Sequence, residues 1–313
     1  MISQVSGTLL SKQLARTIAI RARTTRTYCQ ISTGGVDQKE AWRDPHSISS
    51  SLDVQSSQAI IKRLESRGTD PIFTSLFDTY FPYVIENCDK ALEIGAGTGV
   101  VCRALAESGF EGTVLGLDQS EQFIQAARDY ASHLPNVNFS VVDARNLKTG
   151  VKSFGSDFDC LLMHTLISHV EDPLAVLREA REVVEQGADL IIVEGDYTGL
   201  SYHSATKPGL SESLSRALVT ATFAQPGVVR DLPALLRQSG WSLNRASGKC
   251  VSEIGDEFSY WKSFAQAYMP RVSGSGMISQ EQVDEWWADQ LEHVKQKQFF
   301  ASCTYYTYFA TAV

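Results

Sequence analysis

The sequence is 313 residues long and lacks any run of 18 or more apolar residues, the length that a membrane-spanning helix requires. It also lacks internal repeats and long low-complexity blocks. Hydrophobic residues make up 43% of the chain and charged residues 20%, which is an ordinary globular composition. The chain is therefore expected to bury a sizeable core and to have no membrane span.

Cysteine and positive charge are also in short supply. The six cysteines include no Cys-x-x-Cys pair and no Cys/His spacing of the kind that binds metal, so we expect neither a metal site nor a disulfide framework. The net charge of −8 argues against sequence-independent binding to nucleic acid, which needs a positive surface. Nucleic acid is therefore not an expected partner.

Acidic residues are absent from residues 1–36, where Lys12, Arg16, Arg21, Arg23 and Arg26 occur among many serines and threonines. This composition is typical of an amphipathic mitochondrial transit peptide, although a disordered basic tail on a cytoplasmic protein would also explain it. Residues 37–54 are polar and read as a loose lead-in. We therefore expect the folded domain at 55–313.

Strand and helix patterns alternate through the middle of this domain. Five strands are predicted at 90–95, 113–117, 137–142, 157–163 and 188–194, and two more at 241–250 and 299–312. Helices are predicted at 55–68, 71–86, 98–109, 120–132 and 172–186, and later at 210–223, 228–239, 255–270 and 278–297. Such alternation predicts a doubly wound α/β fold with a mostly parallel, seven-stranded sheet. The segments at about 195–227 and 255–297 interrupt the alternation and are expected to form a helical lid.

A glycine-rich turn follows the first strand, in the stretch Glu93-Ile94-Gly95-Ala96-Gly97-Thr98-Gly99. Glycines at such a corner allow the backbone to approach a ligand closely. The second strand ends at Asp118, where open α/β folds usually bind a ribose diol. A dinucleotide fingerprint would instead need Gly-x-Gly-x-x-Gly, so the nicotinamide-dependent dehydrogenase is the weaker interpretation.

Further polar residues are predicted at the carboxyl ends of the strands, where ligands bind in an open parallel sheet. Three acids at successive strand ends, Glu93, Asp118 and Asp143, suit a cationic ligand that carries hydroxyls and an exocyclic amine. The same argument predicts cofactor contacts from a larger set of strand-end residues: Glu93, Gly95, Ala96, Gly97, Asp118, Gln119, Asp143, Ala144 and His164.

These motifs resemble the class I S-adenosylmethionine-dependent methyltransferases, in the small-molecule branch that includes the ubiquinone and menaquinone methylases. The resemblance covers about residues 60–195 and implies a Rossmann-like methyltransferase fold whose last strand is antiparallel. It implies that S-adenosylmethionine is the cofactor, that Asp118 contacts the ribose, and that Asp143 and Ala144 flank the adenine. It also places His164 at the start of the segment that follows the fourth strand.

The expected reaction is methyl transfer to a small organic acceptor, for which aromatic, quinone-like and specialised metabolites are candidates. His164 and His169 are the candidate general bases, needed only if the acceptor must lose a proton. The alternative is a protein that keeps the fold and binds the cofactor without transferring methyl, as an assembly factor or a cyclase. Acceptor, methylated atom and oligomeric state are left open by the sequence.

Overall fold

A computed structural model describes residues 54–155 and 157–313. The transit-like segment 1–36 and nearly all of the lead-in 37–54 lie outside the described residues. The described chain forms one mixed sheet with helices on both faces, as the alternating pattern predicts. The strands are β1 Lys90–Ile94, β2 Thr113–Asp118, β3 Val137–Val141, β4 Cys160–His164, β5 Asp189–Gly195, β6 Ser201–Tyr202, β7 Trp241–Gly255 and β8 Phe299–Ala312.

The strand order is β3-β2-β1-β4-β5-β8, with β6 and β7 both pairing with β8. Strands β1 to β5 pair with one another in parallel. The last strand, β8, is antiparallel to β5, β6 and β7. The predicted antiparallel last strand is thus confirmed. The sheet has eight strands rather than the predicted seven, because two residues of the 195–227 segment pair with β8 as β6.

The helices fall on both faces of this sheet. They are α1 Val54–Gly68, α2 Pro71–Thr74, α3 Phe81–Asn87, α4 Val100–Glu107, α5 Glu121–Tyr130, α6 Leu147–Gly150, α7 Pro173–Arg181, α8 Pro208–Thr222, α9 Leu232–Gln238, α10 Tyr260–Gly274 and α11 Gln280–Lys295. In the part of the chain that the structure describes, no helix is long and apolar enough to cross a membrane.

Alternate residues of the central strands belong to two separate cores, one on each face of the sheet. Leu92 and Ile94 of β1 join the core that packs against α7 and α9. Ala91 joins the other core, against α4 and α5. Because side chains alternate across a strand and both faces are covered, the parallel strands are apolar almost throughout.

Several predicted helices differ from the structure, and for two of them the reason is identifiable. The predicted helix 71–86 is interrupted by a 3₁₀ turn at Phe77–Thr79, and α3 begins beside Pro82, whose ring nitrogen cannot donate to a preceding turn. The predicted helix 255–270 begins at Tyr260 instead, because β7 continues to Gly255 alongside β8.

The last helices rest on an aromatic cluster around the short strand β6. The Tyr202 hydroxyl donates to the backbone oxygen of Trp261 at 2.6 Å, and its ring lies 5.2 Å from that of Trp286. From the end of β7, the buried Glu253 accepts the backbone N–H groups of Ser259, Tyr260 and Trp261 at 2.6–3.0 Å. One carboxylate thereby satisfies the first turn of α10 and fixes where that helix begins.

Candidate active site

A cavity of about 470 Å³ lies at the carboxyl ends of β1 to β4. Parallel α/β sheets bind ligands at this edge, because the loops after the strands converge there. Its wall contains every cofactor or catalytic candidate that the sequence analysis named: Glu93, Gly95, Ala96, Gly97, Asp118, Gln119, Asp143, Ala144, His164 and His169. The structure therefore brings these residues together, while their individual roles stay predictions.

The glycine turn between β1 and α4 forms one wall of this cavity. Gly95, Gly97 and Gly99 all have positive φ angles, of 78°, 54° and 75°. A Cβ atom on Gly95 would lie 2.7 Å from Leu166 Cδ1, so both the conformation and the space there favour glycine. The backbone N–H groups of Gly95 and Ala96 donate to Leu117 O at 2.8 Å, which joins the turn to β2.

Asp118 connects the glycine turn to the next helix. Its Oδ2 accepts the Gly97 N–H and its Oδ1 accepts the Ser120 N–H, both at 2.9 Å. Ser120 in turn caps α5 by accepting the Phe123 N–H. A carboxylate offers about four lone-pair positions, so an aspartate on the cavity wall can accept hydroxyl donors as well as backbone N–H groups.

Glu93 is buried in the cavity wall with 2% of its surface exposed. The Cys102 thiol donates to its Oε2 at 2.8 Å. Burial raises the pKa of Glu93 to about 7, because the charged carboxylate loses its hydration. Glu93 can therefore change charge near neutral pH.

Asp143 is held by a neighbouring arginine. The Arg145 guanidinium donates to both carboxylate oxygens at 2.6–3.1 Å, and the Arg145 N–H donates to Oδ1 at 2.8 Å. The Arg145 hydrogen bonds lower the pKa of Asp143. An exocyclic amine that binds Asp143 must share it with Arg145, whose side chain is largely exposed and thus able to move.

His164 is buried at the end of β4 between Tyr80 and Phe73. Its Nδ1 lies 3.0 Å from the Tyr80 hydroxyl, and its ring centroid lies 4.9 Å from that of Phe73. Burial, with the nearby Arg67 charge, lowers the pKa of His164 well below its usual value. Its Nε2 is buried without a hydrogen-bond partner among the described residues. An imidazole with a lowered pKa accepts a proton less readily, so this environment favours a contact role over the general-base role.

The loop after β4 is held in an unusual conformation. Thr165 has φ 53°, a left-handed conformation that β-branched residues rarely adopt. Its N–H donates to Val193 O at 2.8 Å, which maintains this strain. The buried Glu194 accepts both the N–H and the hydroxyl of Ser168 at 3.0 Å. Two fixed points therefore place His169 on the cavity wall, where its ring lies 5.0 Å from that of Phe223.

The cavity wall also contains residues that the sequence did not point to, among them Arg63 and Arg67 from α1 and Tyr268 from α10. The helix at 55–68 was predicted, but helical spacing does not show what a helix packs against. Trp261, Phe264 and Tyr268 share one buried face of α10, and of these three only Tyr268 lines the cavity.

Other polar residues considered near the fifth strand do not line this cavity. Glu194 instead binds Ser168, and Asp196 pairs with Arg230 at 2.8 Å. Tyr197 and Tyr202 are buried in the core, and the side chain of His203 is exposed. Among the described residues, no group of three or more His, Cys, Asp or Glu side chains could hold a metal ion.

Comparison with known families agrees with this geometry. A protein-family model described as a methyltransferase domain matches residues 85–262, which is more than half of the chain. The chain belongs to the class I methyltransferases. This family uses S-adenosylmethionine as its cofactor, and the predicted fold class is confirmed with it.

Curated relatives of this methyltransferase are distant. An uncharacterized 37.1 kDa protein of transposon TN4556 from Streptomyces fradiae is 27% identical over 72% of this chain and 63% of its own length. Demethylmenaquinone methyltransferase of Thermotoga maritima is 28% identical over 51% of this chain and 64% of its own. Arsenite methyltransferase of Mus musculus is 30% identical over 35% of this chain and 31% of its own length. The chain thus covers less than two thirds of the length of each.

Among solved structures, the [4+2]-cyclase SpnF is similar, with a TM-score of 0.53 and 16% identity. The match covers 87% of this methyltransferase and 97% of the cyclase. At this identity the similarity shows a shared fold and nothing about the reaction.

The polar groups that line the cavity fit S-adenosylmethionine. Gly97 has a positive φ and, as a glycine, no side chain at the turn, and the Asp118 carboxylate beside it is of the type that accepts hydrogen bonds from ribose hydroxyls. The carboxyls of Glu93, Asp118 and Asp143 complement a ligand with a sulfonium and an ammonium group. The unpartnered Nε2 of His164 is available to a ligand in the same cavity.

Proposed function

We propose that this protein transfers a methyl group from S-adenosylmethionine to a small organic acceptor. One observation carries the proposal. The cavity that contains the glycine turn and the strand-end acids continues to Arg63, Arg67 and Tyr268, which belong to α1 and α10. A cofactor bound on the first set of residues would share a single cavity with an acceptor bound near the second.

The protein's part in such a reaction is to bind, align and dehydrate. Asp118 would hold the ribose, and the Asp143-Ala144 pair would hold the adenine edge. When bound, the cofactor supplies an electrophilic methyl group on a sulfonium. Methyl transfer requires the reacting atoms to be in line and about 3–3.5 Å apart, so positioning accounts for much of the acceleration.

His164 would act as a neutral hydrogen-bonding group. Its link to Tyr80 fixes the ring, and burial of both residues keeps water away from this side of the cavity. His169 remains the candidate for receiving a proton if the acceptor loses one, since it lies on the cavity wall and is only partly buried.

The proposal is tested by product formation. The full-length protein is incubated with S-adenosylmethionine and a panel of phenols, hydroxyquinones, amines and carboxylic acids, and S-adenosylhomocysteine is measured. We expect acceptor-dependent product that is lost in Asp118→Ala. Cofactor binding without product for any acceptor would instead support the alternative, a methyltransferase fold that binds cofactor without transferring methyl.

A further inference from the structure

Helix α1 places two arginines beside the glycine turn. Leu64 packs against Gly97 of this turn, since a Cβ atom on Gly97 would lie only 3.4 Å from Leu64 Cδ1. One turn further on, Gly68 lies against Val100 at the start of α4. Residues four apart share one face of a helix, so Arg63 and Arg67 both reach the cavity wall from this docked helix.

Aromatic rings support both guanidinium groups. The Arg63 guanidinium lies 4.6 Å from the Tyr268 ring centroid, and its Nη1 donates to the Tyr268 hydroxyl at 2.9 Å. The Arg67 guanidinium lies 4.3 Å from the Phe73 ring centroid, and its Nη1 makes a long contact of 3.5 Å with Thr165 Oγ1. Ring contacts of this kind leave guanidinium edges available for hydrogen bonds.

Neither arginine is paired with a carboxylate among the described residues, because the nearby acids have other partners. Glu65 binds Arg103 at 2.6 Å. Asp70 accepts the Ile72 N–H at 2.9 Å and the Ser259 hydroxyl at 2.8 Å. Glu93 takes its side-chain hydrogen bond from Cys102. None of these three acids therefore forms an ion pair with Arg63 or Arg67.

The donor capacity of the two arginines is also unfilled. The Nε atoms of Arg63 and Arg67 are buried and have no hydrogen-bond partner among the described residues. Both side chains are partly buried, so a guanidinium there without a carboxylate partner is costly, and two of them one turn apart repel each other. An anion in the cavity would relieve both costs. A carboxylate matches the planar guanidinium fork best, because two parallel N–H···O bonds can form.

We propose that the acceptor carries a carboxylate and that Arg63 and Arg67 bind it. This inference rests on the proposed methyl transfer and specifies its substrate class. The cofactor has a carboxylate of its own, so the experiment must distinguish the two sources of this group.

The test uses the full-length protein saturated with S-adenosylhomocysteine. Benzoate, 4-hydroxybenzoate, phenylacetate and hexanoate are each titrated beside the corresponding neutral amide. We expect at least one acid to bind tenfold or more tightly than its amide. Arg63→Met and Arg67→Met should each weaken that acid at least tenfold and leave the amide unchanged, and the charge-retaining Arg63→Lys should weaken it less.

The matched control is Lys62→Met, which removes a positive charge from an exposed position of the same helix. It should change the affinity for the acid less than twofold. Equal binding of acids and amides, no binding of any acid, or full acid affinity in the arginine variants would overturn the proposal.

A second titration addresses the source of the carboxylate. S-adenosylhomocysteine is compared with 5′-methylthioadenosine, which lacks the amino-acid portion. We expect the arginine variants to bind both like the wild type. If either variant loses affinity for the first compound alone, that arginine binds the cofactor carboxylate and the two-arginine acceptor site is overturned. Failure of the wild type to bind S-adenosylhomocysteine at all would instead contradict the proposed function.

Discussion

The two ends of the cavity are built in different ways. At the cofactor end, Glu93, Gly97, Asp118 and Asp143 belong to strands or to the turns directly after them, and they are held mainly by backbone hydrogen bonds and close neighbours. At the proposed acceptor end, Arg63 and Tyr268 come from helices α1 and α10 and are more than 200 residues apart in the chain. They meet through a 2.9 Å hydrogen bond and a guanidinium–ring contact of 4.6 Å.

This difference separates binding a common cofactor from selecting an acceptor. The cofactor end follows from the sheet topology, which any sequence with this strand order reproduces. The acceptor end depends on how two helices dock, so substitutions there can alter the substrate while the sheet is kept. We therefore expect damage to the two ends to have separable effects.

The largest expected effect is at the cofactor end, for Gly99→Ala. Gly99 has φ +75°, and a Cβ atom there would lie 2.4 Å from Phe139 Cζ. Left-handed strain of about 1–2 kcal/mol adds to overpacking of about 1–3 kcal/mol. Denaturant unfolding should show a loss of about 2–5 kcal/mol in the free energy of unfolding.

Gly109→Ala provides the matched control, since Gly109 also has a positive φ but a Cβ atom there meets nothing within 4 Å. It should lose only the strain contribution. Equal losses in the two variants would show that crowding against Phe139 is unimportant.

The acceptor end can be damaged separately through Glu253→Ala. The variant leaves the N–H groups of Ser259, Tyr260 and Trp261 without their acceptor at the start of α10. Each unpaired buried donor costs about 1–3 kcal/mol. Because the three N–H groups share one acceptor, we expect a total decrease of about 3 kcal/mol in the free energy of unfolding. Because Tyr268 is on α10, acceptor affinity should also fall.

The affinity of the Glu253→Ala variant for S-adenosylhomocysteine should stay within twofold of the wild-type affinity, when both are measured under conditions in which the variant is folded. Glu257→Ala removes an exposed acid near the same helix and should cost less than about 0.5 kcal/mol. A loss of cofactor affinity as large as the loss of acceptor affinity would contradict the separation of the two ends.

A pH-dependent effect is expected at the cofactor end, from Glu93. Its pKa of about 7 in the folded state, against 4.5 as the ordinary value, means that the folded protein binds this proton more tightly. The stability it contributes is full below about pH 4.5 and is lost as pH rises through 7. At 1.36 kcal/mol per pKa unit, the total change is about 3 kcal/mol.

Glu93→Gln should therefore become more stable relative to the wild type as pH rises from 5 to 8, measured by denaturant unfolding at each pH. Glu86→Gln is the control, because the Glu86 side chain is exposed. The difference in the free energy of unfolding between Glu86→Gln and the wild type should not change over this pH range. If the difference for Glu93→Gln is also independent of pH, Glu93 does not have the raised pKa that its burial predicts.

The same contrast explains what the sequence could predict. Asp118 and Asp143 were found because each directly follows a strand whose apolar pattern is visible, and the glycine spacing marks the turn before them. Strand β6 was missed because two residues carry no periodic signal and pair only when β8 is in place. The α10 boundary was misplaced because the pairing of β7 with β8, rather than local propensity, decides where that helix begins.

Arg63 and Arg67 show the same limit at the level of function. Their helix was predicted from its apolar spacing, whereas its docking beside Gly97 depends on contacts between distant segments. A charged helix face usually lies in solvent, so no local pattern indicated that these arginines line a cavity.

The central claim is that the glycine turn and Asp118 form the cofactor site, and calorimetric titration tests it most directly. The full-length protein is titrated with S-adenosylmethionine and S-adenosylhomocysteine, beside Asp118→Ala. We expect the wild type to bind both, and the variant to lose about 1.5–3 kcal/mol with the charged hydrogen bond, a 10- to 150-fold weakening. Unchanged affinity in a folded Asp118→Ala variant, or no binding by the folded wild type, would contradict the claim.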